Sequence, residues 1–264
     1  MKKRILALAA VAALALSMFA FGACSNQDQP EDGKDVLVVG IDPGQPPMGY
    51  TDTASGEYVG FDIDLAKEAA KRMGMEVKFQ AIDWEQKDSE LKAGTIDCVW
   101  NGFTMEGRED QFTWTKPYMQ NEQVFVVKAG SDIKTKEDLA GKTLAYQRDS
   151  SASTALEEAP DFVATLGNAT ETDTNLNALM EVETGSADAA LLDSTMAEYN
   201  ISKQGGKFVI LEEPFSAEHY GVGFNLGNTE LRDKVQEALD AMVADGTFAK
   251  ISTDWFGRDV SIKD

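Results

Sequence analysis

The sequence predicts an α/β fold in two lobes of similar plan, each a mostly parallel sheet flanked by helices, joined by two hinge crossovers. Three observations carry this. Short apolar, β-branched runs alternate with helical patterns along most of the 264 residues, which is the signature of strand–helix–strand units. The length beyond the N-terminal leader suits one large domain or two lobes of ordinary size. Finally, Gly94-Thr95-Ile96-Asp97-Cys98-Val99-Trp100-Asn101 is echoed by Gly185-Ser186-Ala187-Asp188-Ala189-Ala190-Leu191-Leu192-Asp193. Both read glycine, hydroxyl residue, any residue, aspartate, apolar strand, polar residue.

The elements follow in order. Val36 to Gly40 is the first strand, and Asp42-Pro43-Gly44-Gln45-Pro46-Pro47-Met48 follows it. Its three prolines fix the backbone, so Asp42 and Gln45 are displayed on a rigid loop; the plainer reading is that Asp42 only caps a turn. Ile63, Ala66, Ala70 and Met73 share a helical face, with Asp62 as N-cap and Gly74 as stop. Val77 to Ile82 is a strand delivering Asp83 and Trp84, and Ile96 to Trp100 is a short buried one. Past that strand's end come Asn101, Gly102, Phe103, Thr104 and Arg108.

Lys116-Pro117-Tyr118-Met119 breaks the charged, irregular stretch Met105 to Thr115, and a strand over Glu122 to Lys128 follows. Lys136 to Lys142 is a short helix and turn, and Thr143 to Gln147 a strand. Asp149 to Thr154 opens a helix, and Asn175 to Glu183 forms another. Strands at Phe208 to Leu211 and Gly221 to Phe224 bracket a return crossing at Ser216 to Tyr220. Leu231 to Ala244 and Phe248 to Trp255 are closing helices, read as packing.

At the N-terminus, Lys2, Lys3 and Arg4 precede an apolar run from Ile5 to Ala20 and the small residues before Cys24. This is a secretory leader that resembles a bacterial lipobox, with Cys24 the lipid-bearing residue; the run is short for a transmembrane span. Residues 1–24 are therefore assigned to the leader and 25–35 to a flexible, polar tether. The formal net charge of −21 becomes more negative once the basic leader is lost. Nucleic acid and anionic lipid surfaces are discounted as partners. With Cys24 lipidated only Cys98 remains, so no intramolecular disulfide forms, and His219 is the sole histidine. A Cys/His metal cluster is excluded, as is a histidine-based nucleophile unless His219 serves it. Neither metal nor cofactor is expected.

Strand ends in open α/β sheets are where small ligands bind, and here they present a coherent set. Arg108 offers a planar fork that matches a carboxylate; the alternative is a surface arginine paired with Glu106 or Glu109. Ser150 and Ser151 at a helix start can bind an anion or merely cap it. With Asp42, Trp84, Asn101, Gly102, Phe103, Thr104, Gln147 and Asp193 they could surround a zwitterion, as an α-amino acid requires.

"VGFDIDLAKEAAKRMG", "IDW", "GTIDCVWNGFT" and the nearby arginine resemble the extracellular solute-binding proteins of polar amino-acid ABC importers. The likeness continues, in order, through "KPYM", "DLAGKTLAY", "GSADAALLD", "YGVGF", "LRDKVQEALDAMVADGTFAKI" and "WFG". It implies a type II periplasmic-binding-protein fold: lobe 1 over 36–117 plus 221–264, lobe 2 over 123–215, and hinge crossovers at 118–122 and 216–220. It also implies a lipid-anchored monomer outside the cytoplasm that closes on an amino acid and docks on a membrane permease.

Carried over by position, Thr104 and Arg108 match the family's carboxylate-binding residues and Ser150 and Ser151 its helix-start loop. Asp193 matches the aspartate for the α-ammonium, and Trp84 an aromatic wall. Two departures stand out. One residue fewer separates Thr104 from Arg108 than is usual, and Gln45 occupies a place where an aromatic is common. Asp42, Gln45 and Gln147 suit a polar or basic side chain, with Arg148 the one residue that would favour an acidic one. The other functions considered are a dehydratase of the cyclohexadienyl type on the same fold, with an acidic residue as general acid, and a sensor without transport.

Overall fold

In the strand Val36–Ile41, side chains alternate in exposure at first and are then buried on both faces, the pattern of a strand covered by helices on either side. The computed structural model describes residues 35–262. The leader, Cys24 and the tether as far as Lys34 lie outside the described residues.

One sheet runs through the molecule in the order Asn168–Thr172, Thr143–Gln147, Ala189–Asp193, Met119–Lys128, Ser216–Phe224, Cys98–Thr104, Val36–Ile41, Glu76–Ala81. At one end Glu76–Ala81, Val36–Ile41 and Cys98–Thr104 are parallel, and Ser216–Phe224 runs antiparallel to the last of them. At the other end Asn168–Thr172, Thr143–Gln147 and Ala189–Asp193 are parallel, and Met119–Lys128 runs antiparallel to the last. The two antiparallel strands pair with each other from Met119 opposite Tyr220 to Gln123 opposite Ser216. The fold is thus α/β and two-lobed, and the stretches read as crossings form a two-stranded ribbon within the sheet.

The repeated sequence has a structural reason. Gly94 and Gly185 end their helices in the left-handed conformation, with φ of 72° and 85°, where glycine carries no Cβ penalty. The aspartates that follow then clamp the neighbouring strand. Asp97 accepts the Val38 N–H at 2.7 Å, and its own N–H donates to the Val38 carbonyl. Asp188 does the same with Thr143, at 2.8 Å. Each device closes two hydrogen bonds and sets the register of the strand that carries the polar residue at its end.

Both ends bury their own cores. In the first, Leu37, Val39, Ile41, Ile63, Trp100, Val222 and Phe248 pack together. In the second, alternation splits the sheet into two faces. Val124, Val126, Ala190 and Leu192 meet Leu179 and Met196 on one side, while Phe125, Val127, Leu144 and Leu191 meet Leu156 on the other. This is the period of two expected of strands covered on both sides.

Three differences from the sequence reading are physical. Asp62 does not cap its helix: Phe61–Met73 is preceded by Gly60 at φ 147°, and no side chain caps it. A Cβ at Gly60 would lie 2.2 Å from the Met48 carbonyl oxygen, so the entry turn is set by backbone crowding. Asp62 instead turns inward and accepts from the Gly102 N–H at 2.7 Å and the Tyr118 hydroxyl at 2.9 Å. Burial pushes its carboxyl up to about 7 against those hydrogen bonds. Second, the helix read from Asp149 begins at Ser151, with Ser150 as its cap. Third, the strand Asn168–Thr172 and the helix Ser194–Gln204 were not expected. The first is half-exposed, and the second begins at Asp193 with no side-chain capping bond to mark it.

Candidate binding site

The strand ends of both halves open onto one narrow cavity of about 20 Å3, room for little more than a single water and well below the roughly 300–1,000 Å3 usual for ligand pockets. Its lining is Asp42, Gln45, Trp84, Asn101, Gly102, Thr104, Arg108, Gln147, Ser150, Ser151, Asn175 and Asp193. All the residues expected from sequence are there except Phe103. That ring is fully buried behind the wall, edge-on to Trp84 at 5.4 Å and against Phe112 and Trp114. The strand is irregular here, with Gly102 at φ 62° and a register shift against Ser216–Phe224, so Asn101 and Thr104 reach the cavity while Phe103 packs behind it.

One wall is cationic. Arg108 follows a turn closed by its own N–H to the Met105 carbonyl, with Gly107 at φ 75°. Its backbone carbonyl accepts from the Trp114 indole at 3.0 Å, which fixes the loop despite its short spacing. The guanidinium lies 5.8 Å from the Phe103 ring centre and donates through Nη2 to the Asp149 carbonyl at 3.1 Å and the Thr154 hydroxyl at 3.4 Å. Among the described residues it makes no ion pair. Glu106 is taken by His219 instead, through the backbone N–H at 2.8 Å and Nδ1 at 2.7 Å. Desolvation pushes the Arg108 pKa down, with nearby acids opposing it. Beside it, the buried Thr104 hydroxyl has no hydrogen bond to the protein among the described residues.

The opposite wall is acidic and rich in amides. Asp193 accepts Asn121, Gln123 and Tyr220 on Oδ1, at 3.0, 3.1 and 2.6 Å. On Oδ2 it accepts Gln45 at 2.9 Å and Asn175 at 3.3 Å. Asn175 Oδ1 is buried without a partner. Asn175 was not singled out in the sequence. The usable signal was an amide opening a helix just past a strand end, the same placement that Trp84 and Ser151 have. Asp42 accepts Gly44 N–H at 2.8 Å and Gln147 at 2.9 Å, and burial raises its pKa.

Several of these bonds join the two halves. Gln45, whose peptide neighbour Pro46–Pro47 is cis, reaches Asp193 and accepts from Asn175 at 3.0 Å. Gln147 reaches Asp42, Lys87 forms a salt bridge with Asp149, and Arg148 pairs with Glu85 at 2.9 Å. Arg148 also meets Glu171 and Asp173, so it is spent outside the cavity. The Ser150 hydroxyl donates to the Gln147 carbonyl and accepts the Ser153 N–H, which is plain capping. Asn101 holds the first loop by accepting the Asp42 N–H at 2.9 Å, and the Gly102 N–H is occupied by Asp62.

Comparison with known proteins decides the family. The model of the bacterial extracellular solute-binding proteins, family 3, matches residues 37–258. The chain belongs to this family. The L-cystine-binding protein TcyA of Bacillus subtilis is 30% identical over 274 residues, covering 99% of this chain and 100% of TcyA. The arginine-binding extracellular protein ArtP of the same organism is 31% identical over 263 residues, covering 97% of this chain and 98% of ArtP. Among solved structures, an ABC uptake transporter substrate-binding protein from Streptococcus pneumoniae with bound histidine superposes with a TM-score of 0.83. It shares 35% identity over 86% of this chain and 95% of its own. In this family setting the cavity between the strand ends is the candidate solute site.

Proposed function

We propose that the protein is the receptor of an amino-acid ABC importer, capturing a polar or basic L-amino acid between its two halves and delivering it to a membrane permease. The observation that carries this reading is the buried Arg108, a cation without a carboxylate partner among the described residues, facing Asp193 and Asp42 across a small cavity. A buried charge left unpaired costs several kcal/mol, and an α-amino acid supplies both missing partners. Its carboxylate takes the Arg108 fork and the Thr104 hydroxyl. Its ammonium takes Asp193 and the orphaned Asn175 oxygen. Ser150 and Ser151 stand beside the carboxylate end, and Trp84 forms a wall.

The preference for a polar or basic side chain is supported by an outer cleft that shares Asp42 and Trp84 with the cavity and carries Asp83 and Glu90 besides the Arg148-paired Glu85 and Asp173. Such a field draws cationic solutes. Lobe 1 is assigned residues 36–117 and 221–264, lobe 2 residues 123–215, with bending at 118–122 and 216–220. Ligand then stabilises the closed form by its differential affinity. Cys24 is the proposed lipid anchor. The protein is read as a binder and not an enzyme, because the relatives it resembles along its length are named as binding proteins.

The test is a thermal-shift screen of the protein against the common L-amino acids and L-cystine. Expected is stabilisation by a polar or basic subset, with a Kd near micromolar, roughly −8 kcal/mol. No shift with any of them would remove the reading.

A further inference from the structure

Glu218 is 3% exposed, yet sequence gave it no role. It lies in the strand Ser216–Phe224, within the ribbon that joins the halves. Two amides of the opposing strand bind it and Asp193 together. Asn121 Nδ2 donates to Glu218 Oε1 at 2.6 Å and to Asp193 Oδ1 at 3.0 Å. Gln123 Nε2 donates to the same two oxygens at 3.0 and 3.1 Å. Two carboxyl groups bound to the same two donors are close neighbours, each within reach of the other's charge. Like charges this close do not both ionise readily in a buried setting.

The two members face different spaces. Asp193 lines the solute cavity. Glu218 and Asn121 line a separate groove behind the ribbon, with Glu122, Glu198, Glu212, His219 and Arg258 along it. The groove opens to solvent, so a proton on Glu218 has a route out that does not cross the ligand.

We propose that Asp193 and Glu218 share one proton in the empty protein, and that the pair gives it up through the rear groove when the ligand's ammonium settles on Asp193. This rests on the receptor reading above and deepens it. Charge balances: one positive charge arrives, Glu218 becomes a carboxylate, and the released proton passes to water. Burial and the Asp193 charge push the Glu218 carboxyl up to about 8, against the amide hydrogen bonds. The arriving ammonium opposes that shift. Other charged groups near the pair are Arg108, within electrostatic reach of both, and Tyr220, bonded to Asp193.

The sign of the linkage follows. Below the Glu218 pKa of the complex, both states hold the proton and affinity is at its lower limit. Affinity rises with pH through the interval up to about 8 and levels off above it, by at most about tenfold per pH unit for one proton. In Glu218→Gln this rise and the proton release disappear.

Calorimetry on the whole protein tests this with L-arginine, L-glutamine and L-cystine as probes, at pH 7 in phosphate and in Tris, whose ionisation heats differ. The expected result is release of up to one proton per ligand by the unaltered protein and none by Glu218→Gln. Binding without release overturns the coupling alone. Release that persists in Glu218→Gln but vanishes in Asp42→Asn overturns it too, by moving the proton to Asp42. Failure of all three probes and of the wider amino-acid screen overturns the receptor reading and the coupling together. Should Glu218→Gln not fold, the two-buffer measurement on the unaltered protein and on Asp42→Asn decides: release kept in both supports the coupling, and release lost in Asp42→Asn overturns it.

Discussion

The two halves of the molecule are wired alike and charged differently. Each has three parallel strands closed by one antiparallel strand, and each clamps its central strand with an aspartate after a left-handed glycine. The strand in one half leads through Thr104 to Arg108, while the strand in the other ends on Asp193. The charge difference lies at and just past the strand ends. The shared scaffold therefore fixes where a group is presented, and the few residues after it decide whether that group is a cation or an anion. Facing the two across one cavity makes a site that fits a molecule carrying both charges.

The largest effect should come from breaking the charge difference. Arg108→Ala is expected to weaken amino-acid binding by about 3–5 kcal/mol, because the ligand carboxylate would be buried without its partner; near-native affinity by calorimetry would end the carboxylate role. Asp193→Asn should weaken binding comparably. Here the outcome also reads stability, since five donors converge on that carboxylate, and unfolding in urea should show a loss of about 1–3 kcal/mol. An unchanged affinity would leave Asp193 as a purely structural acceptor.

The likeness is tested by a matched pair. Asp97→Ala, which frees a half-buried clamp, should cost about 1–2 kcal/mol, and Asp188→Ala, at an exposed one, under about 1 kcal/mol. Equal costs, or the reverse order, would mean that burial does not set what each clamp contributes.

A pH slope comes from one buried carboxyl of the first half. The Asp62 carboxyl is raised to about 7 in the folded protein, above an unfolded value of about 3.9. A raised carboxyl stabilises the fold below the unfolded value, and that contribution is lost as pH rises through the folded one. Relative to Asp62→Asn, the unaltered protein should lose stability between about pH 4 and 7, by no more than about 1.4 kcal/mol per pH unit. Parallel pH–stability curves for the two proteins would remove Asp62 as the source.

Alternation of strands and helices, and the echo around Asp97 and Asp188, made the two-lobed plan readable, because both are local patterns with a local cause. The cavity wall was readable where a residue sits at a strand end. Asn175 and Glu218 were not, because their roles exist only once distant strands meet: Glu218 acquires neighbours 95 and 97 positions away. Asp62 misled for a related reason. Its position fits a cap, but its carboxylate is drawn inward by Gly102 and Tyr118, partners that no helix rule contains. Gln45 was readable as a departure, and its cross-cleft bonds show what the departure does: an amide closes the space on the Asp193 side.

The sheet order has a kinetic consequence. The strands of the Asp193 half lie within one unbroken stretch from Met119 to Ile210, whereas the Arg108 half needs Ser216–Phe224 and the helices Thr229–Asp245 and Thr247–Phe256 to complete its core. Loop-closure entropy makes such distant pairings slow. Refolding should thus protect the amides of the contiguous half first, and pulse-labelled hydrogen exchange would register Leu191 and Val126 ahead of Val39 and Val222. The last residues of the chain are the ones that allow the first strand to settle.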